Sequence, residues 1–248
     1  MLGTLYNTVL FQPLLNLLVF FYNILWHDFG LAIIAVTLVT RLILYPSYKH
    51  QLESQKRMSA LQPKLNELKE KHKDNKEAQS RAMMDFYKEN KVNPFSSCLP
   101  LIVQLVVILA LYQVFIQGLN GEAVGNLYGF ISNPGKLNYI FLQFLDLSQP
   151  SIYLAVLTGA VQFVQSKMAL SLQPKPAPQT SGKKDFSSTF STTMSQQMLY
   201  FFPVITVIIG ARLASGLVLY WLVSTLFAVL QQYLVMRKKN TPIPLPIK

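Results

Sequence analysis

The sequence predicts an all-α integral membrane protein with five transmembrane helices, an N-terminal interfacial amphipathic helix and a helical hairpin on the cytoplasmic side. Three observations predict it. First, only 13% of the 248 residues are charged and 51% are hydrophobic, where a soluble domain carries roughly 25% charged residues. Second, the apolar residues cluster in runs long enough to cross a bilayer rather than recurring at amphipathic spacing. Third, the basic residues are confined to alternate connections, as the positive-inside rule requires of a polytopic protein.

Residues 1–27 are apolar but carry Gln12, Pro13, Asn16 and Asn23. They read as an amphipathic helix lying in the interface, with Tyr22 and Trp26 as headgroup anchors. A true span is the competing reading. Residues 28–48 form the first span. From Leu31 to Gln117 the chain has no glycine, so it can run as near-continuous helix, punctuated by Pro46, Pro63, Pro94 and Pro100.

Residues 49–92 change character to polar and charged. Met58, Leu61, Leu65 and Leu68 make one helical stripe, and Ala82, Met83, Phe86 and Tyr87 make the facing one. Asp74 and Glu77 have the spacing of a capping box. Glu67 with Lys71 and Glu77 with Arg81 are favourable i,i+4 pairs. A hairpin outside the membrane is the simplest structure, with a solvated pair lacking a binding role as the alternative.

Asn93-Pro94 suits a helix start for the second span, 93–117. Residues 118–150 hold five of the eleven glycines and form an external loop, in which Phe141, Phe144 and Leu145 suggest a segment dipping to the interface. The third span is 151–170, followed by a cytoplasmic linker, 171–195, rich in proline, serine and threonine. Residues 197–236 are apolar over ~60 Å of helix, twice the hydrocarbon core. They must therefore divide, near Arg212–Gly216, into spans 196–212 and 216–236. Residues 237–248 form a basic tail.

Nineteen of the 22 lysines and arginines lie in 49–91, 167–184 and 237–248, which five spans place on one side. Lys136 and Arg212 fall on the other. The hairpin and C-terminus are therefore expected in the cytoplasm and the N-terminus outside. The net charge of +11 reads first as topology and second as contact with anionic lipid or the ribosome. It does not read as a specific nucleic-acid site. The first lysine is Lys49, so the N-terminus lacks the basic region of a secretory signal.

A single cysteine, Cys98, excludes an internal disulfide and reads as a packing residue. His27, His50 and His72 have no partner at metal-ligand spacing, and no hydrolase or nucleotide-binding motif occurs. No cofactor, metal or catalytic residue is expected.

Arg41 is the exception inside the first span, costing ~2.5–3.5 kcal/mol on insertion scales. It either serves function or snorkels to the nearby interface, ~8 Å away by helical rise. Thr37, Thr40, Gln104, Gln162, Gln165, Ser224 and Gln231, together with Gln232, fall mostly in the cytoplasmic half of the spans. That distribution describes a polar cavity open to the cytoplasm and closed outward. Hydrogen-bond glue between helices is the alternative for each residue, and packing or belt anchoring is the alternative for Tyr112, Phe115, Tyr220 and Trp221.

The stretches GLAIIAVTLVTRLILYP (30–46), MSALQPKLNELKEKHKD (58–74), MMDFYKENKVNPFSSCLPLIVQ (83–104), ALYQVF (110–115) and SGLVLYWLVSTLFAVLQQ (215–232) resemble the YidC family, which includes the mitochondrial oxidase-assembly and thylakoid Albino-type insertases. The resemblance covers about residues 28–236. It implies a bacterial plasma-membrane insertase and chaperone whose partners are nascent membrane proteins and lipids, with the ribosome and a Sec-type translocon as further partners. It also implies a groove holding Arg41, with Thr37 one turn earlier. The chain reads as a short form without the extra N-terminal span and large periplasmic domain of Gram-negative members, and without a lipobox cysteine. The basic C-terminal extension of ribosome-binding members is reduced to Arg237, Lys238, Lys239 and Lys248, which puts tight docking by the tail in doubt. A small-solute transporter or channel is the alternative function. It would need polar residues at all depths or an inverted repeat, and neither is seen. An intramembrane protease ranks last, because no His or Asp lies within a predicted span.

Overall fold

The computed structural model describes residues 2–90, 92–93, 99–119, 126–171 and 199–237. The expectations for Pro94 and Cys98, nearly all of the linker and the tail beyond Arg237 lie outside these residues.

Helix α1 (Gly3–Ile24) is continuous, but its turn at Asn7–Phe11 widens to a π-helix. Pro13 follows directly. Its missing N–H and its ring would break a regular ladder, and a π turn is one way to absorb the mismatch. Phe11, Leu14, Leu15, Leu18, Val19 and Tyr22 are buried. Two of the polar residues that suggested an interfacial helix, Asn16 and Asn23, hydrogen-bond the loop that precedes β1. Asn16 Nδ2 donates to Asn126 O at 3.0 Å and its Oδ1 accepts from Tyr128 N at 2.6 Å, while Asn23 Nδ2 donates to Ser132 O at 2.8 Å. The loop 126–139 is thus tied to α1 through side-chain amides.

Trp26 and His27, both at positive φ, reverse the chain. Asp28 then caps α2 (Phe29–Ile43), its Oδ1 accepting from Gly30 N at 2.8 Å and Leu31 N at 3.0 Å. Phe29, Gly30, Ala32, Ile33, Val36 and Thr37 are buried at helical spacing. The first span was expected to run to residue 48. Instead the axis bends by 60° at Leu44, and α3 (Tyr45–Lys71) begins. The physical cause is Pro46, whose ring cannot follow the carbonyl of Leu42 in an unbroken helix but fits a first turn. Pro63 lies inside α3 without ending it.

A turn at His72–Asn75 leads to α4 (Lys76–Glu89). Its cap is Asn75 rather than Asp74, with Oδ1 accepting from Glu77 N at 3.1 Å and Ala78 N at 3.0 Å. Asn75 has the extended φ of −133° that an N-cap requires. Leu61 and Leu65 of the expected stripe are buried. Among the described residues the one ion pair is Lys49–Glu53 at 3.9 Å, so the two expected i,i+4 pairs are not closed.

Helix α5 covers Leu99–Leu119. Strands β1 (Ile140–Phe141) and β2 (Leu145–Asp146) pair antiparallel. Helix α6 (Ile152–Ser171), α7 (Leu199–Gly210) and α8 (Ser215–Arg237) complete the fold. The loop caps α8: Ser215 N and Gly216 N each donate at 3.0 Å, to Gln149 O and Leu147 O. Helix α8 packs against α2 and α6. Gly159 admits Val207 and Gly210 admits Ala155, which lets backbones approach closely. An aromatic cluster closes the end where α2 begins, with Phe29 5.3 Å from Phe115 and 4.9 Å from Tyr139, centroid to centroid.

By length and composition alone, α1 and α8 suffice to cross a bilayer, and the bent pair α2–α3 adds a third. Gln162, Gln165 and Lys167 lower the apolarity of α6, and of α7 only Leu199–Gly210 is described. The fold is thus an all-α membrane protein.

Candidate functional site

Arg41 sits in the last turn of α2, one turn before the bend, and is half-buried. Its Nη2 donates to Gln104 Oε1 on α5 at 2.7 Å. This bond joins the two helices across 63 residues of chain. A guanidinium has five N–H donors, and one is committed here. Gln104 Nε2, by contrast, is buried without a well-aligned hydrogen bond.

Two tyrosines extend the cluster. The Tyr48 hydroxyl, in the first turn of α3, lies against Gln165 of α6 and within reach of the Arg41 charge. The Tyr220 hydroxyl on α8 lies beside Ser224, Gln104 and Arg41. Ser224 Oγ, wholly buried, has no well-aligned hydrogen bond and only the Tyr220 hydroxyl beside it. Side chains from α3, α5 and α8 therefore gather around the guanidinium on α2, and α6 joins the cluster through Tyr48. Buried donors and acceptors left open cost free energy, ~1–3 kcal/mol each, so the cluster is suited to receive polar groups from outside the fold.

Gln231 is 2% exposed with both amide atoms unpartnered, and the neighbouring Gln232 Nε2 is also open. Gln231 stands seven residues beyond Ser224 and so shares its face of α8. Thr37 and Thr40 serve differently. Thr37 is fully buried and donates to Ile33 O at 2.6 Å, while Thr40 donates to Val36 O and Thr37 O, both at 2.9 Å. Their hydroxyls are spent on α2 itself. Neither threonine hydroxyl bonds Arg41.

Sequence reasoning missed Tyr48 and assigned Tyr220 to packing. The usable signals were spacing: Tyr220 lies one turn before Ser224, and Tyr48 lies seven residues after Arg41. Further along α3, Lys56 Nζ donates to Val235 O at 2.8 Å, holding one of the last carbonyls of α8.

Comparison with known proteins shows where the chain finds relatives. The chain is 34% identical over 211 residues to the membrane protein insertase YidC of Fusobacterium nucleatum, covering 85% of this chain and 87% of that protein. It is 36% identical over 226 residues to the protein of that name from Pasteurella multocida, and 35% identical to that from Actinobacillus pleuropneumoniae. These matches cover 91% of this chain but 36% of each relative, so the chain spans about a third of their length. The 60Kd inner membrane protein family matches residues 20–242, and the chain belongs to that family.

Proposed function

We propose that this chain inserts nascent integral membrane proteins and helps them fold, through a hydrophilic groove that opens to the cytoplasm and is centred on Arg41. The observation that carries the reading is the 2.7 Å bond from Arg41 to Gln104, set among buried polar atoms that the fold leaves open. The names of the related insertases support the same activity.

A substrate presents a short hydrophilic segment, often acidic, from the cytoplasmic side. In the groove, the guanidinium and local water replace part of the hydration the segment loses. The hydrocarbon distance it must cross is shortened and the barrier falls. The substrate's apolar helix leaves along the lipid-exposed faces of α5 and α7, where Leu105, Leu109, Val204 and Ile208 are exposed. Partition of ~20 apolar residues, each contributing a few tenths of a kcal/mol, supplies the driving force. ATP has no role in this scheme. Five spans, with α3 and α4 as a cytoplasmic hairpin that first receives substrate, complete the proposal.

The test is reconstitution in liposomes with a single-span substrate bearing an acidic N-terminal tail. Arg41→Ala should reduce insertion by an order of magnitude, equivalent to ~1.4 kcal/mol of barrier, and Arg41→Lys should retain most of it. Equal loss in both variants would remove the charge from the mechanism.

A further inference from the structure

At the end of the fold where α2 begins, the β1–β2 hairpin carries an unusual tip. Phe144 N donates to Phe141 O at 3.1 Å, closing a turn whose central residues, Leu142 and Gln143, have φ of 49° and 67°. Turns with both central residues at positive φ favour Asn-Gly. A Leu there is strained, because its Cβ crowds the following carbonyl oxygen. The fold holds it nevertheless. Asp28 Oδ2 accepts from Leu142 N at 2.9 Å while Oδ1 caps α2. The Phe141 ring lies so close to Gly30 that a Cβ there would clash.

The consequence is a fixed display of apolar groups. Phe141 turns inward, whereas Ile140, Leu142 and Phe144 point out, with Phe144 75% exposed. Trp26, 83% exposed, stands two residues before Asp28. From residue 126 to 153 the charged residues are Lys136 and Asp146 alone. The tip is therefore apolar, aromatic, poor in charge and continuous with helices that enter the bilayer, which matches the chemistry of the headgroup–acyl boundary.

We propose that the Leu142–Phe144 tip is an anchor in the outer leaflet that fixes the depth of Arg41 through Asp28. One carboxylate holds the tip with one oxygen and the first turn of α2 with the other. Arg41 lies twelve residues beyond Phe29 on that helix, ~18 Å along the axis. In a hydrocarbon core of ~30 Å, a tip seated at the outer boundary puts the guanidinium past the midplane, in the cytoplasmic half. The depth gauge rests on the reading of Arg41 as the groove cation, but its test does not use insertion activity.

The full chain, with Cys98→Ser, is reconstituted in phosphatidylethanolamine–phosphatidylglycerol vesicles and spin-labelled at Phe144→Cys or, as an aqueous control, Lys136→Cys. The label at 144 should collide more with oxygen than with a water-soluble nickel chelate, at ~5–10 Å below the headgroups, and the label at 136 should do the reverse. A label at 144 that reads like the one at 136 overturns the anchor. In a second pair, Asp28→Asn keeps a good N-cap and lacks the second acceptor oxygen. A label at Leu42→Cys should then shift in depth by at least ~3 Å, two residues of helical rise. An unchanged depth overturns the coupling.

Discussion

Arg41 and Ser224 show how a buried polar group can be tested for purpose. Were Ser224 a strut between helices, its hydroxyl would be hydrogen-bonded, and losing it would destabilise the fold. It is wholly buried, with no well-aligned hydrogen bond and only the Tyr220 hydroxyl beside it. Removing such a group relieves a desolvation penalty. Ser224→Ala should therefore leave the melting temperature in detergent unchanged or raised, while insertion of an acidic-tailed substrate declines. A drop in melting temperature would favour the strut. Tyr139 makes a second test outside the spans. Burial beneath Phe29 and Phe115, with Tyr22 nearby, pushes its hydroxyl up to about 12 from 10.0. Above pH 10 the unfolded chain loses this proton before the folded chain does, so stability falls between pH 10 and 12 and is flat below. Thermal unfolding at pH 9 and pH 11 should show that loss, and Tyr139→Phe should diminish it. At this scale Arg41 and Gln104 are conspicuous in the sequence as polar groups inside apolar runs, and one hydrogen bond joins them in the fold. The sequence could not tell that Thr37 bonds its own helix while Tyr220 faces the guanidinium, since hydroxyl direction depends on helix rotation.

At the scale of elements, the apolar runs and the glycine-free stretch made most helices legible, because a run of that length has few other solutions. Ends were harder to place. Pro46 acts on the carbonyl four residues earlier, so α2 stops at Ile43 although the apolar run continues. The cap of α4 shifts by one residue, because Asp74 and Asn75 are both good caps and only backbone φ chooses between them. Asn75→Ala should weaken α4 by ~1 kcal/mol, seen as faster amide exchange over its first turn, and Asp74→Ala should have little effect. The β1–β2 hairpin was invisible because its turn is Leu-Gln, where Asn-Gly would have announced it. In the segment expected to seek the interface, Phe141 packs on Gly30, while Leu142 and Phe144 are exposed.

For the whole molecule, three connections converge on one claim. The loop ties α1, α2 and α8 together at one end through Asn16, Asp28 and Ser215. Lys56 ties α3 to the last carbonyls of α8 at the other. Between them lies a polar cluster that the fold leaves incomplete. In the proposed groove, the aromatic packing at the Phe29 end is the seal and the Lys56 end is the mouth. The most direct measurement is thiol labelling of Gln104→Cys, with Cys98→Ser, in sealed vesicles of known orientation. A membrane-impermeant maleimide should label position 104 when added on the cytoplasmic side and fail to do so from the opposite side. Labelling from both sides, or from neither, would contradict a groove open to the cytoplasm alone.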